Sequence, residues 1–211
     1  MPRIVDAEQR RRELAAAVWR VIRRDGVTGA SVRAVAREAD TSMGALRHWF
    51  ATQDALLRFA MLLVTERARA RIEAVVGDGP LLPSHVLAVL EETLPLDDER
   101  RAEAEVWLAL VARALVDPDL AALRDRAAAD LHGLCSAVVV ALTEAAEEPL
   151  GVDVPLEAER LYAVLDGLAL HALTRPAALP ADRARAVLEA HLAGLRGTPS
   201  IVPPSERGNG R

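Results

Sequence analysis

Thr41, Ser42 and Arg47 are the side chains of this 211-residue chain whose types and spacing point most directly to chemistry. Hydroxyls and backbone N–H groups at a helix start can hold a phosphate, and a guanidinium can donate two hydrogen bonds to a guanine edge. All three lie in Ser31–Gln53, SVRAVAREADTSMGALRHWFATQ. Met43 adds a backbone N–H, while Gly44 and Ala45 present almost no side chain and would let the helix start lie close to DNA. A glycine inside a helix costs about 1 kcal/mol relative to alanine, so close approach gives it a reason. Ser31 and Arg33 are placed to grip the sugar–phosphate backbone. Trp49 is either a plug between helices or a phosphate and sugar contact through its indole N–H. His48 reads most simply as a partly exposed surface residue on the same side.

These groups need a scaffold, and the surrounding pattern supplies one. Val32, Val35, Ala36 and Ala39 recur at helical spacing. Asp40-Thr41-Ser42 breaks the pattern with a residue that tolerates left-handed backbone angles and with hydroxyls able to cap the next helix. Leu46 and Phe50 then resume it one turn apart. Two short helices so joined form a helix-turn-helix, whose second helix can enter a major groove. Before them, Asp6 can cap a helix that carries Leu14, Val18, Val21 and Ile22 and stops at Asp25-Gly26. After them, a long helix starts beyond Thr52 and runs to about Val76. Five more are expected at about Pro83–Leu94, Asp98–Val116, Pro118–Glu148, Pro155–Thr174 and Pro180–Arg196, with boundaries good to about two to four residues.

Composition agrees with an all-α fold of about nine helices. Hydrophobic residues make up 51% of the chain and aromatics only 3%, so Ala, Leu and Val must build the core. The expected division is a DNA-binding domain over residues 1–51, a helical regulatory and dimerisation domain over 52–197, and a Pro-, Gly- and Ser-rich disordered tail over 198–211. No unbroken apolar run is long enough to span a bilayer, and charge appears early at the N-terminus; a cytoplasmic protein is expected. The single cysteine, Cys135, excludes an internal disulfide framework and fits a reducing compartment. All 26 cationic residues are arginine, which fits a GC-rich genome. The net charge of −5 hides an asymmetry: residues 1–70 hold 13 Arg against 8 acids, and residues 71–211 hold 13 Arg against 23. A basic head on an acidic body fits a molecule that meets phosphates at one end.

The run Thr28-x-x-Ser31-Val32-Arg33-x-Val35-Ala36-x-x-Ala39, then Ser42-x-Gly44-x-Leu46-x-x-x-Phe50, then Asp54-x-Leu56-Leu57, resembles the TetR family of bacterial transcriptional regulators. The stretch Leu165–His171, followed by an Arg- and Ala-rich last helix, looks like the BetI-like branch. The resemblance implies a homodimeric repressor on an inverted-repeat operator, controlled by a small molecule. It also implies that the last two helices pair with their mates, with Leu161, Leu165, Leu168, Leu188, Leu192 and Leu195 as the expected contacts; about half could instead serve the chain's own core. The chain departs from the family pattern in having Asp40 for a usual Gly, Arg47 for a usual Tyr, and Thr52-Gln53 for a usual Ser-Lys. Gln53 therefore stands where a lysine would meet phosphate.

In the body, Trp107, Arg113, His132, Cys135, Tyr162, Asp166 and His171 are too polar or too large for a plain Leu/Ala core. Trp107 and Tyr162 make natural cavity walls in an aromatic-poor chain. The expected effector contacts are Trp107, Arg113, His132, Cys135, Tyr162 and Asp166. His132 and Cys135 alone make a poor metal site, and no metal or cofactor is expected. No Glu-x-x-His pair, phosphate-binding glycine loop or nucleophile motif supports an enzyme. A regulator without a small ligand, governed by a protein partner or by autoregulation, is the remaining alternative.

Overall fold

The computed structural model describes residues 2–145 and 152–197; the expected disordered tail lies outside them. Among the described residues there are nine helices and no strand. The first, α1, spans Pro2–Gly29 and is broken near its end by Gly26, whose φ of 71° is easy only for glycine. Its backbone is already helical before Asp6, so Asp6 is not the start. α2 (Val32–Glu38) and α3 (Met43–Trp49) follow, each capped by a serine: Ser31 accepts from the Ala34 N–H and Ser42 from the Ala45 N–H. Between them Asp40 takes a left-handed φ of 46°, the conformation the turn requires.

The long α4 (Gln53–Val76) starts from a Thr52 cap and ends at Gly77. α5 spans only Val86–Glu91. It is shorter than its apolar pattern suggested because Glu92, Thr93 and Leu94 bond three residues back rather than four, tightening the chain ahead of Pro95. α6 (Asp98–Arg113) and α7 (Pro118–Glu144) begin at Asp97 and Asp117 caps, the second with Pro in the first turn. Leu115 and Val116, expected inside α6, sit in the connecting turn at 76% and 85% exposure. α8 (Val154–Thr174) starts from Asp153, and α9 covers Ala181–Gly197.

Two apolar cores organise these helices. The first joins α1, α2, α3, α4 and α6 around Leu14, Val18, Leu46, Leu57, Met61 and Leu110. It crosses from the helix-turn-helix into α4 without a gap, with the Phe50 and Phe59 rings 5.0 Å apart at the seam. The second joins α5, α7, α8 and α9 around Leu90, Val138, Leu142, Leu161 and Leu188. Averaged over eighteen residues, α7 is long and apolar enough to cross a bilayer, with mean hydropathy 1.3, although no unbroken apolar run exists. Its Cys135, Val138, Val139 and Leu142 are instead buried in the second core.

Candidate functional site

The head is a rigid mount for one exposed helix face. Leu46, fully buried, pins α3 to the first core, and Phe50 closes its end. Met43, Gly44, Ala45, Arg47, His48 and Trp49 consequently face solvent. A Cβ added at Gly44 would meet nothing nearer than the Ser42 Oγ at 3.9 Å, so packing within the chain does not demand glycine there. Trp49 is 39% exposed, which removes the plug reading; its ring meets His48 edge-on at 6.3 Å. Gln53 turns back, donating from Nε2 to the Ala30 carbonyl at 3.4 Å.

The head's charges divide into two groups. Arg20 and Arg24 both bond Glu38, and hydrogen bonds from these two hold its carboxyl below the usual range. Arg10 pairs with Glu13, and Arg11 with Glu66. Arg33 on α2 and Arg47 on α3 are exposed, and neither has an acidic partner among the described residues. Their charge is therefore available to an outside anion. Arg23 and Arg37 are also exposed and form no close ion pair among the described residues, although Arg37 acts on Asp25 at longer range; residue order does not single them out because arginine is everywhere in this head.

The body holds a half-open cavity of about 310 Å³ between α4, α6, α7 and α8, with Glu92, Thr93 and Leu94 at the end of α5 also in its lining. Trp107, Tyr162 and Asp166 line it, as do apolar Val64, Ile72 and Leu131. Its charged lining comprises Arg69, Arg71, Arg100, Glu92, Glu103, Asp130 and Asp166. Arg69 pairs with Asp130, Arg71 with Glu103 and Glu92, and Arg100 with Glu92. Among the described residues Asp166 has neither an ion pair nor a hydrogen bond from another side chain. Its surface is partly open, yet the crowding walls desolvate the carboxyl and raise its pKa. Burial, and then the Asp166 charge, raise the Tyr162 pKa as well.

Three expected cavity residues lie elsewhere. Arg113 points away from the cavity and pairs with Asp54 at the start of α4. His132 faces outward, 3.4 Å from Glu159. Cys135 is fully buried in the second core, where desolvation pushes its thiol up to about 12. His171 is likewise exposed on the outside of α8. The dimer residues need the same kind of correction: Leu161, Leu165, Leu168, Leu188, Leu192 and Leu195 are all at most 6% exposed within a single chain. They pack α8 and α9 against α5 and α7, so they cannot present an interface without unfolding. The paired charges of the cavity were missed altogether. Arg67 and Arg71 on α4 and Glu99 and Glu103 on α6 share a four-residue spacing, which is the signal that could have found them.

Comparison with known proteins places the chain. Residues 84–197 match the family of BetI-type transcriptional repressor C-terminal domains. The helix-turn-helix-type transcriptional regulator PksA of Bacillus subtilis is 41% identical over 92% of this chain and 94% of its own length. The chain belongs to the TetR family, in its BetI-type branch. A TetR-family regulator of this kind binds DNA to control transcription and is not an enzyme. Its architecture is shared with the crystal structure of a transcriptional regulator from Rhodococcus sp. Rha1, at 32% identity and a TM-score of 0.73 over 88% of this chain and 95% of that one. The multidrug binding protein EbrR, solved with imidazole, is 30% identical with a TM-score of 0.61 over 91% of this chain and 97% of its own; a second EbrR structure holds proflavin. Regulators of this family act as dimers on operators with small-molecule effectors.

Proposed function

We propose that this chain is a cytoplasmic repressor that reads an inverted-repeat operator as a dimer and lets go when an organic monocation enters its body. Residues 1–51 make the DNA contacts and residues 52–197 hold the effector and the mate. Arg47 reads a guanine edge. Ser31, Arg33, Thr41, Ser42 and the N–H groups of Met43 and Gly44 hold phosphates, with His48, Trp49 and Gln53 at the margin of the contact. The observation that carries the DNA surface is Arg47, exposed and unpaired beside the bare backbone of Gly44 and Ala45.

The effector class follows from charge. Three guanidiniums and four carboxylates line the cavity, and of these Asp166 alone lacks a mate among the described residues. An unmatched, partly desolvated carboxylate in a lining that also carries Trp107 and Tyr162 favours a cation, through Coulomb attraction and the ring faces. The imidazole and proflavin held by EbrR are of a fitting kind.

Self-association uses a different stripe of α8 and α9 from the buried leucines. Leu156, Ala163, Gly167 and Leu170 follow one face of α8, and Ala186, Val187 and Ala190 are exposed on α9. A Cβ at Gly167 would meet nothing within 4 Å, which leaves room for a partner helix at close range. Fluorescence anisotropy with a duplex from upstream of the protein's own gene, titrated with proflavin, tests the whole scheme. Binding that proflavin reverses supports it. Binding untouched by any organic cation favours control by a protein partner or autoregulation.

A further inference from the structure

We propose that Arg71, Glu103 and Arg67 form a relay that reports the state of the cavity to Trp19 in the DNA-binding head. The relay rests on the functional reading above and adds the residues through which effector and operator would communicate. Arg71 forms part of the cavity wall and grips Glu103 with both arms, at 3.0 Å and 2.6 Å. Glu103 Oε1 also accepts from Arg67 Nε at 2.8 Å. The Arg67 guanidinium lies over the Trp19 ring, 4.7 Å from its centre. Trp19 belongs to α1, and its indole N–H is buried without an acceptor. The chain of contacts therefore runs from the cavity, across α4 and α6, into the first core of the head.

The relay differs from the Arg11–Glu66 pair, which also ties α1 of the head to α4. That pair is more than half exposed on both sides, so water can replace either partner. Glu103 is 4% exposed and is the one buried charged residue among the described residues. A buried carboxylate cannot be left without a partner, because desolvation is not repaid. If a cationic effector in the cavity repels Arg71 and pushes its guanidinium off Glu103, Glu103 loses two of its three donors. Arg67 must then turn further toward Glu103, and its cover over Trp19 is loosened. The unpaired indole N–H gives Trp19 a reason to shift, since any rotation of α1 that finds it an acceptor is favoured. Such an element has two discrete arrangements that the two sites can bias in opposite senses.

The test needs neither the natural effector nor the operator. In a chain carrying Trp49→Phe and Trp107→Phe, Trp19 is the sole indole, and its quenching by acrylamide reports its cover. Arg71→Met, which does not touch Trp19, is expected to raise the quenching constant about twofold. Arg67→Met should do the same, and the double variant should show no further rise, the non-additivity expected of one chain of contacts. Circular dichroism confirms that each variant is folded. If Arg71→Met does not fold, Arg71→Lys, which keeps the charge but loses the two-armed grip, should give a smaller rise. Trp19 quenching unchanged by a folded Arg71 variant, or increments that simply add, would overturn the relay. A parallel anisotropy titration with the upstream duplex separates the two claims. Loss of DNA binding in the unaltered chain while Trp19 still responds sinks the repressor reading and leaves the internal link standing.

Discussion

The head and the cavity treat charge in opposite ways. On the head, Arg33 and Arg47 face solvent with no acid among the described residues to meet them. In the cavity, Arg69, Arg71 and Arg100 are each matched by a carboxylate, and the group left over is Asp166. Unmatched positive charge outside suits a polyanion; one unmatched negative charge inside suits a small cation. The net charge of the chain describes neither site, because most of its charges cancel locally.

The sharpest way to break this contrast is to remove the buried carboxylate that satisfies Arg71 of the cavity wall and Arg67 beside Trp19. Glu103→Ala leaves Arg67 and Arg71 without their shared partner and is expected to cost about 3 kcal/mol of stability by urea unfolding. A cost near zero would mean that the arginines re-solvate freely and that the cavity is wetter than the pairing implies. On the head, Arg47→Ala should weaken specific DNA binding by roughly 1–3 kcal/mol and relax base preference at one position of each half-site. Equal affinity and preference in competition anisotropy would show that Arg47 does not read bases.

Asp166→Asn is expected to weaken proflavin binding about tenfold, or about 1.4 kcal/mol. The sign of the pH effect follows from the raised carboxyl. The cation needs the ionised form, so binding holds at neutral pH and weakens as pH falls through the raised pKa, sooner than for an ordinary aspartate. Calorimetry of Asp166→Asn should show this dependence gone. In the empty protein the same shift acts on stability: protonation is favoured by the fold, so Asp166 contributes more stability as pH falls through that pKa, not less. The smallest expected effect on folding is that of Ala163→Arg. It should leave the chain folded yet shift it from dimer to monomer in sedimentation, whereas an unchanged dimer would place the interface elsewhere.

Much of the fold can be read from residue order, since helix ends are local chemistry. Ser31, Ser42, Thr52, Asp117 and Asp153 cap the helices that follow them, and Asp40 takes the left-handed turn. Periodicity also finds apolar faces, but it cannot tell which surface covers them. The leucines of α8 and α9 therefore looked like an interface when they are core, and the small residues beside them carried no signal in a chain so rich in alanine. Side-chain direction set the other limits. Trp49 and Leu46 lie on one short helix, yet only Leu46 turns inward. Tyr162 and Asp166 reach the cavity while Cys135, on the helix packed beside them, faces the second core. The pairing of Arg67 and Arg71 with Glu103 depends on how α4 crosses α6, which no local pattern encodes.

One measurement bears most directly on the central claim that an exposed head reads DNA under the control of a cationic effector. Footprinting at low salt on the DNA upstream of the protein's own gene should show a protected site with two-fold symmetry, one half-site for each head. Adding proflavin should erase that protection, while Asp166→Asn should need about ten times more of it. Absence of any protected duplex at low salt, or a footprint that saturating proflavin leaves intact, would contradict the account.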